Sequence, residues 1–199
     1  MSTSTIVPHR STEEWIALFA ELTAERDELA IDEGWRVPVA KRTRRMIDQL
    51  PPGRVGVAVG DIADLKQLNS ATGYQPRTDE LFHPAFQVRA SDVLILGKRD
   101  GGDQFILVGH NARAAAARIN AQLARAPMTD QERSAYVRGV CVKRWGRWLG
   151  RVVAWSGLHA VQPFPRIDWQ FVDDVDVRDI HAAASAAERR LFGDKARRA

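Results

Sequence analysis

The sequence is short of the features that would place a chain outside the cell or in a bilayer. Cysteine occurs once, at Cys141, so no internal disulfide framework can form. The opening MSTSTIVPHR has no apolar stretch able to act as a secretory signal. No run approaches the roughly 20 apolar residues that cross a bilayer. Even RVGVAVG, from Arg54 to Gly60, is bounded by Pro51-Pro52-Gly53 and by Asp61. A reducing, cytoplasmic setting with no membrane partner is therefore expected. Internal repeats and low-complexity linkers are missing, and 199 residues amount to about one domain. Charge of one sign is scarce too: 29 Lys and Arg against 25 Asp and Glu leave +4, an excess that any solvated surface carries. His83, His110, His159 and His181 have no metal-ligand spacing with one another or with Cys141.

What is present is apolar periodicity. Trp15, Leu18, Phe19, Leu22 and Leu29 fall on one face of a helix over residues 11–29, with Ser11 and Glu14 as a capping box. A second helix, Val39 to Leu50, turns Met46, Ile47 and Leu50 inward and Lys41, Arg42, Arg44 and Arg45 outward, until Pro51-Pro52-Gly53 ends it. Arg54 to Asp61 alternates Val55, Val57 and Val59 with Gly56, Ala58 and Gly60, which predicts a strand ending on a carboxylate. Leu65, Leu68 and Thr72 mark a short helix stopped at Gly73, followed by another near Thr78 to Val88 with Pro84 as an irregularity. Val93 to Leu96 and Phe105 to Val108 read as a hairpin with a polar, Gly-rich tip. An alanine-rich helix from Asn111 to Ala126 uses Asn111 as its cap and Ile119 and Leu123 as its inner face. Val137 to Val142 and Arg151 to Trp155 read as strands joined by KRWGRWLG, and a last helix carries Ile180, Ala184, Ala187 and Leu191 on one side. The order predicts one α/β sheet covered by helices. Residues 1–50 read as a helical extension, and 51–199 as the main domain with an inserted hairpin around 137–156.

Chemistry concentrates on Asp61, at a strand end, and Asp103, in the hairpin tip. If the two strands are neighbours, the carboxylates converge, and two hard oxygen ligands beside a phosphate-receiving loop suit Mg²⁺, which takes its other ligands from water and nucleotide. Gly101 and Gly102 put no Cβ in the way of a bound phosphate. Amides opening the helix after Asp61 point at the same anion, helped by the helix dipole.

Arg99-Asp100-Gly101-Gly102-Asp103-Gln104-Phe105 resembles the RxGGDEF turn that names the GGDEF, or diguanylate cyclase, family. Asp61-Ile62-Ala63-Asp64-Leu65-Lys66-Gln67-Leu68-Asn69, followed by Gly73-Tyr74, is similar to the family's D-I-D-x-F-K-x-x-N-D-x-x-G-H block at matching spacing. Val153-Ala154-Trp155-Ser156-Gly157 resembles the strand that usually reads T-V-S-I-G. The resemblance implies an α/β (α+β) palm-like domain of nucleotide-cyclase type, with a ferredoxin-like, mostly antiparallel central sheet flanked by helices. It also implies condensation of two GTP molecules into cyclic di-GMP across a homodimer of half-sites. Asp61, Ile62 and Asp103 would hold Mg²⁺ or Mn²⁺. The Ile62, Ala63, Asp64 and Leu65 backbone would cradle phosphate together with Gly101 and Gly102. Lys66 and Arg190 would contact phosphate and Asn69 the guanine. The second guanine-recognising position aligns on Thr78 without a gap or on Asp79 with one insertion. Arg89 and Asp92 resemble the family's product-inhibition site, but eight residues separate Asp92 from Gly101 where the family has five.

Three departures bear on activity. Gln104 stands where the family has Glu, and an amide neither carries the charge nor takes the proton of a carboxylate. Ala63 replaces the second acid of D-I-D, and the last helix offers Arg190 and Asp194 where Lys and Arg are usual. The expectation is a GGDEF-like nucleotidyl cyclase acting on GTP or another purine nucleotide. The alternative is a silent member of the same fold that binds a nucleotide or cyclic di-GMP as a receptor or scaffold. A third reading rests on Lys143 to Arg151, four cations interleaved with Trp145 and Trp148, the composition of a nucleic-acid platform. The plainer view of that segment, a hairpin tip whose indoles cover the sheet edge or a partner subunit, is preferred.

Overall fold

In the computed structural model, which describes residues 11–74, 77–87, 93–99, 102–157 and 161–198, β1 (Arg54–Ile62) is buried at every position after Arg54. It is flanked on both sides, by β3 (Gln104–Gly109) and by β4 (Ile167–Asp176), while β2 (Ile95–Lys98) pairs with the far edge of β3. All three pairings are antiparallel and the order is β2-β3-β1-β4. β1 thus runs parallel to β2 with β3 between them, and β3 parallel to β4 with β1 between them. This interleaving is the ferredoxin-like arrangement.

The alternating faces of β1 serve two cores. Ala58 and Ile62, with Phe105 and Leu107 of β3, meet Leu68 of α3 (Leu65–Thr72), Leu81 and Phe82 of α4 (Arg77–Phe82) and Ile119 and Leu123 of α5 (Ala112–Leu123). The same core takes Tyr136, Val137, Val140 and Cys141 of α6 (Asp130–Trp145). Val57 and Val59, with Ile106 and Val108, pack on Ile47 of α2 (Ala40–Asp48) and on Ile180, Ala184, Ala187 and Leu191 of α8 (Ile180–Arg198). With α7 (Arg147–Ser156) the sheet domain is a mixed α/β architecture around a four-stranded antiparallel sheet, the class that the sequence predicts, and the eighth helix among the described residues is α1 (Thr12–Leu29). Gly73 stops α3 in the left-handed region, Asn111 caps α5, and Pro84 sits in a 3₁₀ turn, His83–Phe86, that continues α4.

The chain divides into two units, Met1–Ala30 and Ile31–Ala199. The first holds α1, whose capping box closes in both directions: Ser11 N–H donates to Glu14 Oε2 at 2.6 Å and Glu14 N–H to Ser11 Oγ at 3.2 Å. The division falls well before the expected boundary at residue 50, because residues 31–50 are bound into the sheet domain. Trp35 is buried edge-on against Phe82, with centroids 5.0 Å apart, and against Phe105 at 5.7 Å. Lys98 N–H donates to the Pro38 carbonyl, and buried Thr43 of α2 stands over Gly97, where a Cβ would lie 2.1 Å from its Oγ1.

Two expectations are corrected around residues 137–176. The predicted hairpin of 137–156 is instead the helix pair α6 and α7. Thr129 and Glu132 form a reciprocal capping box, and the buried positions Tyr136, Val137, Val140 and Cys141 follow helical spacing. The β-branched residues that suggested strands are accommodated because burial outweighs their modest intrinsic preference. Gly146, at φ +80°, ends α6 and begins α7. Val153 to Ser156, read by resemblance as a strand, therefore lies in α7, and the place beside β1 belongs to β4. That strand's alternation of Ile167, Trp169 and Phe171 with Asp168 and Gln170 is interrupted by Asp173-Asp174, with Asp174 at φ +55° and a register shift opposite Val55/Val57.

Candidate functional site

Register decides which side chains meet at the end of β1. Asp61 stands directly across from Gln104 on β3 and from Asp168 on β4. Directly opposed residues share a sheet face, so Gln104, Asp61 and Asp168 form one row, on the side where Val57 and Val59 pack under α8. Asp61 is 5% exposed. Half-buried Asp103 immediately precedes Gln104, so the two acids singled out in the sequence occupy adjoining ends of paired strands. Gln104 Oε1 is buried and has no hydrogen-bond partner among the described residues, beside a buried carboxylate. Asp168 was not anticipated. Its Oδ1 accepts from Arg166 Nε at 3.0 Å, two residues earlier on the same segment.

The hairpin tip is held from below. Arg99 N–H donates to the Gln104 carbonyl at 3.1 Å, and its guanidinium reaches α8, donating to Glu188 Oε2 at 3.1 and 2.8 Å and to Ser185 Oγ at 3.0 Å. The motif arginine therefore ties the turn to the last helix. Gly102, exposed at φ +101°, takes a backbone conformation that L side chains rarely adopt. Gly101, Arg89 and Asp92 lie outside the described residues.

Beyond Asp61 the chain turns sharply into α3. Ala63 N–H donates to the Arg166 carbonyl at 3.0 Å, and Ile62 and Ala63 are buried. Asp64 adopts the left-handed conformation, and its carbonyl accepts the amides of Gln67 and Leu68. Its carboxylate turns away from the helix end to accept from Lys143 Nζ of α6 at 2.7 Å. The first amides of α3, Leu65 and Lys66, thereby open the helix with the donors that any helix start leaves without intrahelical partners. Lys66 itself is exposed.

Asn69 Oδ1, one turn further, accepts from buried Thr78 Oγ1 at 2.8 Å, and Thr72 Oγ1 lies 2.8 Å from the same Thr78 atom. Asp79 is buried in another direction, with its carboxylate against Gly34, where a Cβ would fall 2.2 Å from Oδ2. Of the two positions that align with the family's second guanine-recognising residue, Thr78 lies beside Asn69, and the Asp79 carboxylate lies against Gly34. Arg190 is exposed on α8.

Among the described residues, no three or more His, Cys, Asp or Glu side chains group so as to hold an ion. A cation here would rest on Asp61 and Asp103, with the rest of its shell from water and substrate. That ligand count suits Mg²⁺ and is too small for a closed protein cage. Gln104, whose buried Oε1 has no hydrogen-bond partner among the described residues, would add a neutral oxygen to the row that holds Asp61.

No family model matches the chain, and no curated protein matches it. Among solved structures it is similar to the crystal structure of diguanylate cyclase SiaD in complex with its activator SiaC from Pseudomonas aeruginosa, at 14% identity and a TM-score of 0.46. The match covers 90% of this chain and 66% of that one.

Proposed function

We propose that residues 31–199 form a GGDEF-like nucleotide-binding domain that takes GTP, or another purine nucleoside triphosphate, with Mg²⁺ or Mn²⁺ and joins two such nucleotides into a cyclic dinucleotide. The observation that carries this reading is the register that sets Asp61 opposite Gln104, with Asp103 next along the hairpin and the start of α3 beside them. Asp61 and Asp103 are the side chains that would hold the cation, which when bound polarises the α-phosphate and lowers the pKa of an attacking ribose 3′-hydroxyl. The Leu65 and Lys66 amides receive phosphate oxygens, and Asn69, oriented by Thr78, faces the base. Attack of the 3′-oxygen on an α-phosphorus forms the phosphodiester bond and breaks the bond to the β-phosphate bridge, so that pyrophosphate leaves and the hydroxyl proton passes to solvent water. Each subunit contributes half of the reacting pair, so turnover requires a two-fold dimer and falls steeply on dilution.

Gln104 favours a second reading. An amide cannot accept the hydroxyl proton as a carboxylate does, so a chain that keeps Asp61 and Asp103 but lacks the acid serves as a nucleotide or cyclic di-GMP receptor. Incubation with each NTP and Mg²⁺ or Mn²⁺, followed by mass analysis, separates the two: cyclic dinucleotide supports the cyclase, and its absence with calorimetric GTP binding supports the receptor. Under both readings Asp103→Ala abolishes metal-dependent nucleotide binding in calorimetry. Retention of that binding would remove the proposed cation site.

A further inference from the structure

The segment read from sequence as a hairpin tip runs from the end of α6 into α7, and the crest of α7 is apolar. Trp148, Val152 and Trp155 recur at i, i+4 and i+7 along α7 and are 78%, 43% and 89% exposed, with Leu149 beside them at 48%. The opposite side of the helix is the packed one. Gly150 is buried where a Cβ would meet the Cys141 carbonyl oxygen at 2.6 Å, and Val153 and Ala154 rest on the core. Arg147 and Arg151 stand one turn apart on the flank of the crest, both exposed and in no ion pair among the described residues. Arg144, at the adjoining end of α6, lies over the Trp145 ring. From Lys143 to Gly157 there are four cations and no carboxylate, and only Lys143 is neutralised, by Asp64.

From this we infer that α7 is a membrane-surface element, which lays Trp148, Val152 and Trp155 into the headgroup boundary of an anionic bilayer while Arg147 and Arg151 engage lipid phosphate. A helix with an indole-rich crest and an arginine flank is the geometry of in-plane interfacial binding, with Trp at headgroup level and Arg reaching to the phosphates. Charge complementarity selects an anionic surface over a neutral one. It also argues against a second copy of α7, whose own arginines would oppose these. Single-stranded nucleic acid fits less well. The indoles lie seven residues apart, about 10 Å along a convex helix, and the aliphatic Val152 and Leu149 that complete the crest add nothing to base stacking. The lack of a membrane-crossing run, from which the sequence predicts no membrane partner, does not bear on in-plane binding, and the inference is independent of the nucleotide site.

The test is cosedimentation of the full chain with phosphatidylcholine vesicles, with and without about a third phosphatidylglycerol, alongside tryptophan emission. The expected result is partition at least about tenfold stronger onto the anionic vesicles, with a blue shift. Trp148→Ser with Trp155→Ser should lower partition at least about tenfold at unchanged far-UV circular dichroism, since both side chains are exposed. Arg147→Gln with Arg151→Gln should erase the anionic preference, a second readout that leaves the crest intact. Equal or absent partition on the two vesicle types overturns the inference, as does indifference to both double substitutions. A single-stranded oligonucleotide that quenches the indoles in a salt-dependent way, with no vesicle binding, assigns the surface to nucleic acid instead.

Discussion

Gln104 is where a single side chain separates two activities. Its Cα faces that of Asp61, its amide oxygen is buried without a hydrogen-bond partner among the described residues, and the hairpin beneath it is fixed to α8 by Arg99. Gln104→Glu changes charge without changing length, so the backbone around it need not move. The expected outcome is a rise in cyclic dinucleotide formation from GTP of about 10²- to 10⁴-fold, the range a positioned proton acceptor supplies, measured by product mass analysis. An inert Gln104→Glu protein that still binds GTP would leave the receptor reading standing. At this scale the site was partly legible. Asp61, Asp103 and Gln104 lie in two short blocks whose spacing carries the information locally. Asp168 sends no such signal, because only the long-range pairing of β4 with β1 brings it opposite Asp61. Thr78 and Asp79 both align with the second guanine-recognising position, and which of them lies beside Asn69 depends on which way α4 turns its side chains, toward Asn69 or toward Gly34.

At the scale of elements, the α6–α7 pair shows how close packing hides behind an unremarkable sequence. A Cβ on Gly150 would lie 2.6 Å from the Cys141 carbonyl oxygen and 2.6 Å from the Val142 Cα. These are backbone atoms that cannot swing aside, so the two helices must separate to admit a methyl group. Gly150→Ala is therefore expected to destabilise the domain by about 1–3 kcal/mol in urea unfolding, whereas Gly53→Ala should change stability by less than about 0.5 kcal/mol, because nothing lies within 4 Å of its Cβ position. A null effect at Gly150 would mean that α7 detaches freely. Elements with one apolar period were read correctly, as with α1 and α5, which are capped, and with α8. The segment from 137 to 156 was misread because valines at helical spacing also satisfy a strand pattern, and the capping signal lay upstream at Thr129 and Glu132. Glu132 has a further role: Arg77 of α4 donates to its carboxylate at 3.0 Å, which holds that acid below the usual carboxylate range and links α6 to the helix that carries Thr78.

For the whole molecule, the interleaved strand order sets when the sheet can close. β1 is central, yet its partners arrive late: β3 begins at Gln104 and β4 at Ile167. A chain emerging from the ribosome therefore carries β1 with one unpaired, largely apolar border until residues 167–176 are made, and such borders invite pairing between chains. Contacts of such long sequence separation slow the search for the native state. A chain ending at Gly157 lacks β4 and α8 and is expected to aggregate, read as loss of soluble protein after refolding, while the full chain refolds. Synthesis of the β4 segment, Ile167–Asp176, is thus a timing step for the nascent polypeptide, and a pause in translation just upstream of Ile167 would lengthen its exposure to chaperones.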